Sequence, residues 1–204
     1  MTYSILMVGV VGDTADVSTS FLGTILRLQQ SLGAVKDTIV KFEFCHTVKD
    51  AIGYFGQSDA DRLIILDGMM GVDVEWILKR HPKEFDEVIP AYPLREIRWD
   101  AISRLREKGV TDPEALRRES YVYNFTPLED TTDCVSQSYL KTRSAQAKIV
   151  SLSKKGASTF LERYCPYSKR VEDTVVDLSS KGVNSGPFDF VGCVGTRLLS
   201  SVKV

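Results

Sequence analysis

The chain opens on a run of apolar positions, residues 4–11, that reads as a buried strand closed by Gly9 and Gly12. A polar turn follows, Gly12-Asp13-Thr14-Ala15-Asp16. Val17, Phe21, Ile25, Leu28 and Leu32 then recur at helical spacing, with Asp16 as the expected N-cap and Gly33 as the stop. Residues 38–44 alternate and put Val40, Phe42 and Phe44 on one face of a half-buried strand. Thr47 is placed to cap a short helix with the apolar stripe Val48, Ile52 and Phe55, and Asp50 makes a loose capping box.

The next apolar run, Arg62-Leu63-Ile64-Ile65-Leu66, has the look of a fully buried strand and delivers Asp67 into the loop Asp67-Gly68-Met69-Met70-Gly71. Asp73 is the expected N-cap of a helix through Arg80, with Val74, Ile77 and Leu78 inward and Pro82 limiting it. Residues 87–92 read as a short strand. A helix around 99–108 ends at Gly109, and Asp112-Pro113 opens another by the cap-then-proline rule. Strand and helix thus alternate four times in about 90 residues, a pattern that predicts an α/β fold: a mostly parallel, mixed central sheet with helices on both faces. Beyond this the pattern loosens. Residues 121–125 and 147–152 read as strands, residues 154–164 as a helix broken by Pro166, and the Gly/Ser-rich tail from Ser179 as an irregular lid or edge.

Composition narrows the class. The 204 residues suit a single domain and carry 43% apolar and 26% charged residues, ordinary globular usage. With 26 basic and 27 acidic side chains the net charge is −1, so bulk electrostatics argue against nucleic acid as partner. No apolar run approaches the ~20 residues that span a bilayer, and the N-terminus lacks the features of a signal peptide. The expectation is therefore a cytosolic protein without a membrane span. Cys45, Cys134, Cys165 and Cys193 are scattered without metal-ligand spacing and are read as buried free thiols. Asn124-Phe125-Thr126 matches a glycosylation sequon that has no meaning without a secretory route.

In open parallel sheets, ligands bind beyond the carboxyl ends of the strands. That rule gathers the loops 9–16, 45–50 and 67–73 on one rim, with Asp13, Asp16, His46, Lys49, Asp50, Asp67 and Asp73 among their side chains. A carboxylate ending a strand can hold Mg²⁺ or Mn²⁺ against a diphosphate, since hard cations prefer oxygen ligands. It can equally serve only to turn the chain. Gly68 and Gly71 permit close backbone approach. Gly9-x-x-Gly12 lacks the dinucleotide spacing, and neither a P-loop nor a GxSxG elbow occurs. His81, beside Pro82, suits a helix-end interaction better than a catalytic base. In Tyr92-Pro93-Leu94-Arg95-Glu96-Ile97-Arg98-Trp99-Asp100, aromatic rings beside charges suit a sugar. A proline-containing strand exit with Trp99 as a core anchor is the other reading.

The order of these segments resembles the GT-A type glycosyltransferases, particularly small ones of large DNA viruses, phages and bacteria. In that family a nucleotide-holding strand and loop precede an Arg-Asn helix, a strand ending in an Asp-x-Asp metal motif, a helix, and a segment like YP-x-[KR]-x-I-D-W. Here Thr47-Val48-Lys49-Asp50-Ala51-Ile52 falls at the Arg-Asn helix, residues 63–72 at the metal strand, and residues 92–99 at the last segment. The resemblance covers roughly residues 4–105, and more loosely residues 147–164. Met69 stands where the second acid of the metal motif would be, Lys49-Asp50 replaces Arg-Asn, and Arg98 stands at an Asp position.

The resemblance implies a single glycosyltransferase-like domain, with a Rossmann-like nucleotide-binding half (residues 1–105) and an acceptor-side half and tail (residues 106–204). It implies transfer of a sugar from a UDP- or GDP-sugar to a glycan or protein acceptor. Val10, Gly12, Asp13, Lys49, Asp50, Gly68 and Met69 would hold the nucleotide. Asp67, with Asp73, would hold Mn²⁺ or Mg²⁺, or else Lys49 or Arg95 would neutralise the leaving diphosphate without a metal. Tyr92, Arg95 and Trp99 would border sugar or acceptor, and Asp100 and Asp189 are the candidates for the base. A viral origin would put the protein in a host cytoplasm. Two rivals stand beside this reading: a non-catalytic binding or assembly module that has lost its metal motif, and a nucleotidyltransferase or other nucleotide-binding α/β protein.

Overall fold

A computed structural model describes residues 2–13, 16–33, 35, 37–128, 134–136 and 138–179, without the side chains of Arg95, Arg117, Arg118 and residues 134–136. Its elements are β1 (Tyr3–Val10), α1 (Thr19–Leu32), β2 (Thr38–Cys45), α2 (Val48–Gln57), β3 (Arg62–Asp67), α3 (Val74–Leu78), β4 (Glu87–Pro90), β5 (Pro93–Ile97), α4 (Trp99–Glu107), α5 (Pro113–Ser120), β6 (Tyr121–Tyr123), β7 (Phe125–Pro127), β8 (Cys134–Ser136), β9 (Tyr139–Gln146), β10 (Ile149–Leu152), α6 (Lys154–Arg163), β11 (Tyr164–Cys165) and β12 (Arg170–Asp177).

Strand residues alternate between two apolar layers. Leu6, Val8, Leu63 and Ile65 join Phe55 of α2 and Ala157 and Phe160 of α6 on one face. Ile5, Met7, Ile64 and Leu66 join Phe21 and Leu28 of α1 and Trp76 and Ile77 of α3 on the other. A period of two in strands buried on both faces accounts for the unbroken apolar runs of β1 and β3. The result is a ten-stranded mixed sheet flanked by helices, in the order β2-β1-β3-β10-β4-β12-β9-β7, with β11 paired to β12 and β8 to β9 off this path.

β1 runs parallel to both β2 and β3, as the alternating strand–helix pattern predicts. Antiparallel β10 then separates β3 from β4. Its four buried residues, Ile149-Val150-Ser151-Leu152, are an apolar stretch whose pattern is silent on direction. β12 pairs parallel with β4 and antiparallel with β9, so strands from late in the chain complete the early sheet. The described strands therefore include more antiparallel pairing than a mostly parallel sheet. Among the described residues no helix is long and apolar enough to cross a membrane.

Several local expectations change. α1 is capped by Ser18, whose Oγ accepts from Phe21 N at 3.1 Å, rather than by Asp16. Ser18 N donates to Gly68 O at 2.8 Å, which holds the cap extended. α3 stops at Leu78, where Lys79 turns extended. The strand expected at 121–125 breaks at Asn124, which is fully buried and donates to Pro90 O while accepting from Tyr92 N. Its side chain is thus committed inside the protein, at the junction between β5-β6 and the main sheet. Cys45 is buried, but Cys165 is exposed because it starts the β11–β12 hairpin rather than a core strand. Cys134 lies on β8, with its side chain outside the described ones, and Cys193 lies outside the described residues. His81 is buried rather than at a surface helix end, its ring tilted against Trp76 of α3 at 5.0 Å and its Nδ1 3.5 Å from the Tyr139 hydroxyl.

Candidate functional site

Register brings three strand ends level. Val10 at the end of β1 stands opposite both Cys45 of β2 and Asp67 of β3. Beyond them opens a cleft of about 690 Å³. Its floor is Val10, Val11, Gly12, Gly68 and Met69. One wall is the start of α2 from His46 to Lys49, and the opposite wall is Leu161, Tyr164 and Pro166. Asp16, Asp67 and Lys169 supply the remaining polar groups.

Asp67 is largely buried, and both of its oxygens are engaged. Oδ1 accepts from Met69 N at 2.9 Å, folding the loop back on itself, and Oδ2 accepts from Lys169 Nζ. Its backbone is held by Lys148 O and by Met70 N. Gly68 is needed for packing: a Cβ there would lie 3.2 Å from Asp16 O and 3.3 Å from Val10 O. Gly71 is tighter still, with Ser20 O at 2.8 Å. These glycines let the start of α1 press against the Asp67 loop, a structural use of the close approach.

Lys169 comes from the hairpin turn between β11 and β12 and holds a positive φ of 51°, which is uncommon for a residue other than glycine. Ala147 N donates to Lys169 O at 2.7 Å and anchors that turn to the sheet. Strained backbone that aims a charged group into a cleft is a frequent property of binding sites. No spacing in the sequence connects Lys169 with Asp67; the pairing arises from the late strands closing the sheet.

The α2 wall is equally defined. Thr47 Oγ1 accepts from Asp50 N at 3.2 Å and Asp50 Oδ2 accepts from Thr47 N at 3.1 Å, a complete capping box. Asp50 is thereby a cap at the rim, while Lys49 lines the cleft and makes no ion pair among the described residues. His46 Nδ1 donates to Gly12 O at 2.9 Å, and Gly12 adopts φ 64°. Asp13 is exposed and outside the lining. Tyr164 faces Asp67 electrostatically: burial first, then the Asp67 and Cys165 charges, pushes its hydroxyl up to about 12, so it stays a hydrogen-bond donor.

The other expected site residues lie elsewhere. Asp73 caps α3, accepting from Glu75 N at 3.2 Å, and does not line the cleft. Tyr92 is fully buried, with its hydroxyl donating to Gln146 O at 3.2 Å; burial, then Asp67, raises its pKa. Trp99 starts α4 and is 70% exposed, so it is neither core anchor nor cleft lining. Asp100 pairs on the α4 surface with Arg104 and Arg98. Arg95 falls on β5, with its side chain outside the described ones, and Asp189 lies outside the described residues.

The donor set falls short of what Mn²⁺ or Mg²⁺ requires. Such ions take about six oxygen ligands. Asp67 offers one carboxylate already bonded to an ammonium, and no cluster of three acidic, His or Cys side chains suited to a metal exists among the described residues. These residues do not fit a divalent ion.

No family model matches the sequence, and no curated protein matches it significantly. Among solved structures, the crystal structure of A197 from STIV is similar at a TM-score of 0.46 and 13% identity, over 88% of this chain and 84% of that one.

Proposed function

We propose that the cleft binds the diphosphate of a nucleotide sugar and that the protein is a GT-A type glycosyltransferase working without a metal ion. The Lys169–Asp67 pair carries this reading. In the resembled family the strand-end acid presents a cation to the diphosphate; here the cation beside Asp67 is an ammonium. Lys49 adds a positive charge on the adjacent wall. The apolar surfaces of Val10, Val11, Leu161 and Tyr164 suit a base and ribose.

In the proposed reaction the bond between the anomeric carbon and the diphosphate oxygen breaks, and its electron pair leaves with the diphosphate. Lys169 and Lys49 stabilise that charge, and the acceptor hydroxyl closes on the anomeric carbon while its proton passes to an oxygen of the leaving diphosphate or to the Asp16 carboxylate. Asp67 holds Lys169 in place. Asp16 is the other carboxylate lining the cleft among the described residues.

The test is calorimetry of UDP, GDP and their sugars in EDTA. Binding below millimolar concentration, weakened about tenfold or more in Lys169→Met, is the expected result. Failure of every nucleotide to bind at millimolar concentration overturns the proposal. A second reading, a module that binds a nucleotide without transferring sugar, is favoured by the same pair, because it leaves no free acid of the metal motif. Nuclear magnetic resonance of the bound nucleotide sugar over hours separates the two: release of the sugar, to water or to an added glycan, supports the enzyme.

A further inference from the structure

β2 forms one end of the main sheet, and among the described residues no strand pairs with its outer edge. Exposed edges are usually blunted by proline, by a bulge, by short length or by charged side chains. β2 carries Lys41 and Glu43 but none of the other devices: it is eight residues long, lacks proline, and stays in unbroken register with β1 from Thr38 to Cys45. It exposes apolar surface, with Ile39 and Phe44 each 52% accessible. α1, which packs on β2, leaves Leu22 and Leu26 exposed as well.

We propose that the free edge of β2 is a self-complementary interface that joins two copies of the chain antiparallel across a two-fold axis at Phe42. The backbone determines which registers are open. Asp37 O and Cys45 O accept from Tyr3 N and Val11 N of the β1 side. Alternation then turns the N–H and C=O groups of residues 37, 39, 41, 43 and 45 inward, and those of Thr38, Val40, Phe42 and Phe44 outward. Only outward residues can exchange hydrogen bonds with a second copy.

Among the antiparallel registers that meet that condition, charge separates the one centred on Phe42 from its two neighbours. With Phe42 opposite Phe42 of the second copy, Val40 faces Phe44 and Lys41 faces Glu43, twice by symmetry. Lys41 and Glu43 then occupy the non-hydrogen-bonded position, where Cα atoms approach to about 4.5 Å and side chains are closest. A slip of one register in one direction sets Lys41 against Lys41, and in the other sets Glu43 against Glu43. Like charges directly opposite are destabilising, so one register is favoured and both slips are opposed. Lys41 and Glu43 are both exposed in the single chain. A two-fold axis makes the same patch serve both copies, as a closed dimer requires.

The experiment is sedimentation velocity of the full chain over a concentration series. The expected result is a monomer–dimer equilibrium. Lys41→Glu alone puts four acids at the seam and Glu43→Lys alone puts four ammonium groups there; each weakens the dimer about tenfold or more. The double variant Lys41→Glu/Glu43→Lys recreates both opposite-charge pairs and restores association to within about threefold of the parent. A chain that stays monomeric to about 100 µM, single reversals that leave association unchanged, or a double variant no better than the singles overturns the proposal.

Discussion

Lys169 Nζ donates to Asp67 Oδ2 across 102 residues of chain, joining the end of β3 to the turn before β12. Removing the ammonium leaves a largely buried carboxylate without its counter-charge. Lys169→Met is therefore expected to cost about 1–2 kcal/mol in urea unfolding. Asp67→Asn keeps an oxygen for Met69 N and leaves Lys169 free to meet a phosphate. It is expected to hold nucleotide affinity within about threefold, where Lys169→Met loses about tenfold. The double variant should be more stable than Lys169→Met alone, since no unpaired charge remains. Equal loss of nucleotide affinity in Asp67→Asn and Lys169→Met would contradict the assignment of Lys169 as the phosphate's partner.

The half of the molecule made by short-range rules is visible in the sequence. The apolar runs of β1 and β3, the Thr47–Asp50 capping box and the Asp112-Pro113 helix start are each specified by neighbours within four residues. What decides the site is long-range. β9 and β12 mix charged, polar and apolar residues, as in Arg170-Val171-Glu172-Asp173-Thr174, and Asp173 takes a positive φ and drops out of the ladder while the register with β9 continues unshifted. Burial falls on Val171 and then Thr174, three residues on, so the period-two signal is blurred. Lys169 is delivered by these strands, so the ammonium beside Asp67 has no local signature, whereas the rim placing Val10, Gly68 and Asp67 together follows from parallel strand ends.

His81 makes stability depend on pH. Burial first, then the Arg62 guanidinium, pulls its pKa from the ordinary 6.5 down to about 3. Between those values the unfolded chain binds a proton that the folded chain refuses, so stability rises with pH there and is lost as pH falls. The slope is about 1.4 kcal/mol per pH unit, or roughly 3 kcal/mol by pH 4. His81→Leu is expected to remove that slope, measured as the difference between wild type and variant in urea midpoints from pH 7 to 4. Parallel curves for the two proteins would show that His81 is not the group responsible.

Gly156 sets how closely α6 approaches the sheet. A Cβ there would lie 2.1 Å from Asp86 O, a backbone atom that also accepts from Ser153 N at 2.8 Å. The helix cannot keep its position with alanine. Gly156→Ala is expected to destabilise by about 3 kcal/mol despite alanine's better helix propensity. α6 and β11 carry Leu161 and Tyr164 of the cleft wall, so the variant should also weaken nucleotide binding by calorimetry. A neutral or stabilising result would mean that α6 is free to shift at little cost.

Asn124 follows β6 where the chain returns to the main sheet, and it bonds Pro90 of β4, Gln146 of β9 and Tyr92, the residue before β5. Its Oδ1 accepts from Tyr92 N at 2.9 Å, its Nδ2 donates to Pro90 O at 3.1 Å, and its backbone bonds Tyr92 O and Gln146 N. Asn124→Ala removes only the side-chain bonds, leaving Tyr92 N as a buried donor without a partner. The expected cost is about 2–3 kcal/mol. Asn124→Asp supplies Oδ1 but turns the second group into an acceptor facing Pro90 O, and burying that charge should cost at least as much at pH 7. Protonation would restore a donor, so the aspartate variant should recover part of its deficit relative to alanine as pH falls toward 4. Urea unfolding of the two variants at pH 7 and pH 4 checks this crossing, and an unchanged gap between them would place the Asn124 amide outside the bonds that hold this junction together.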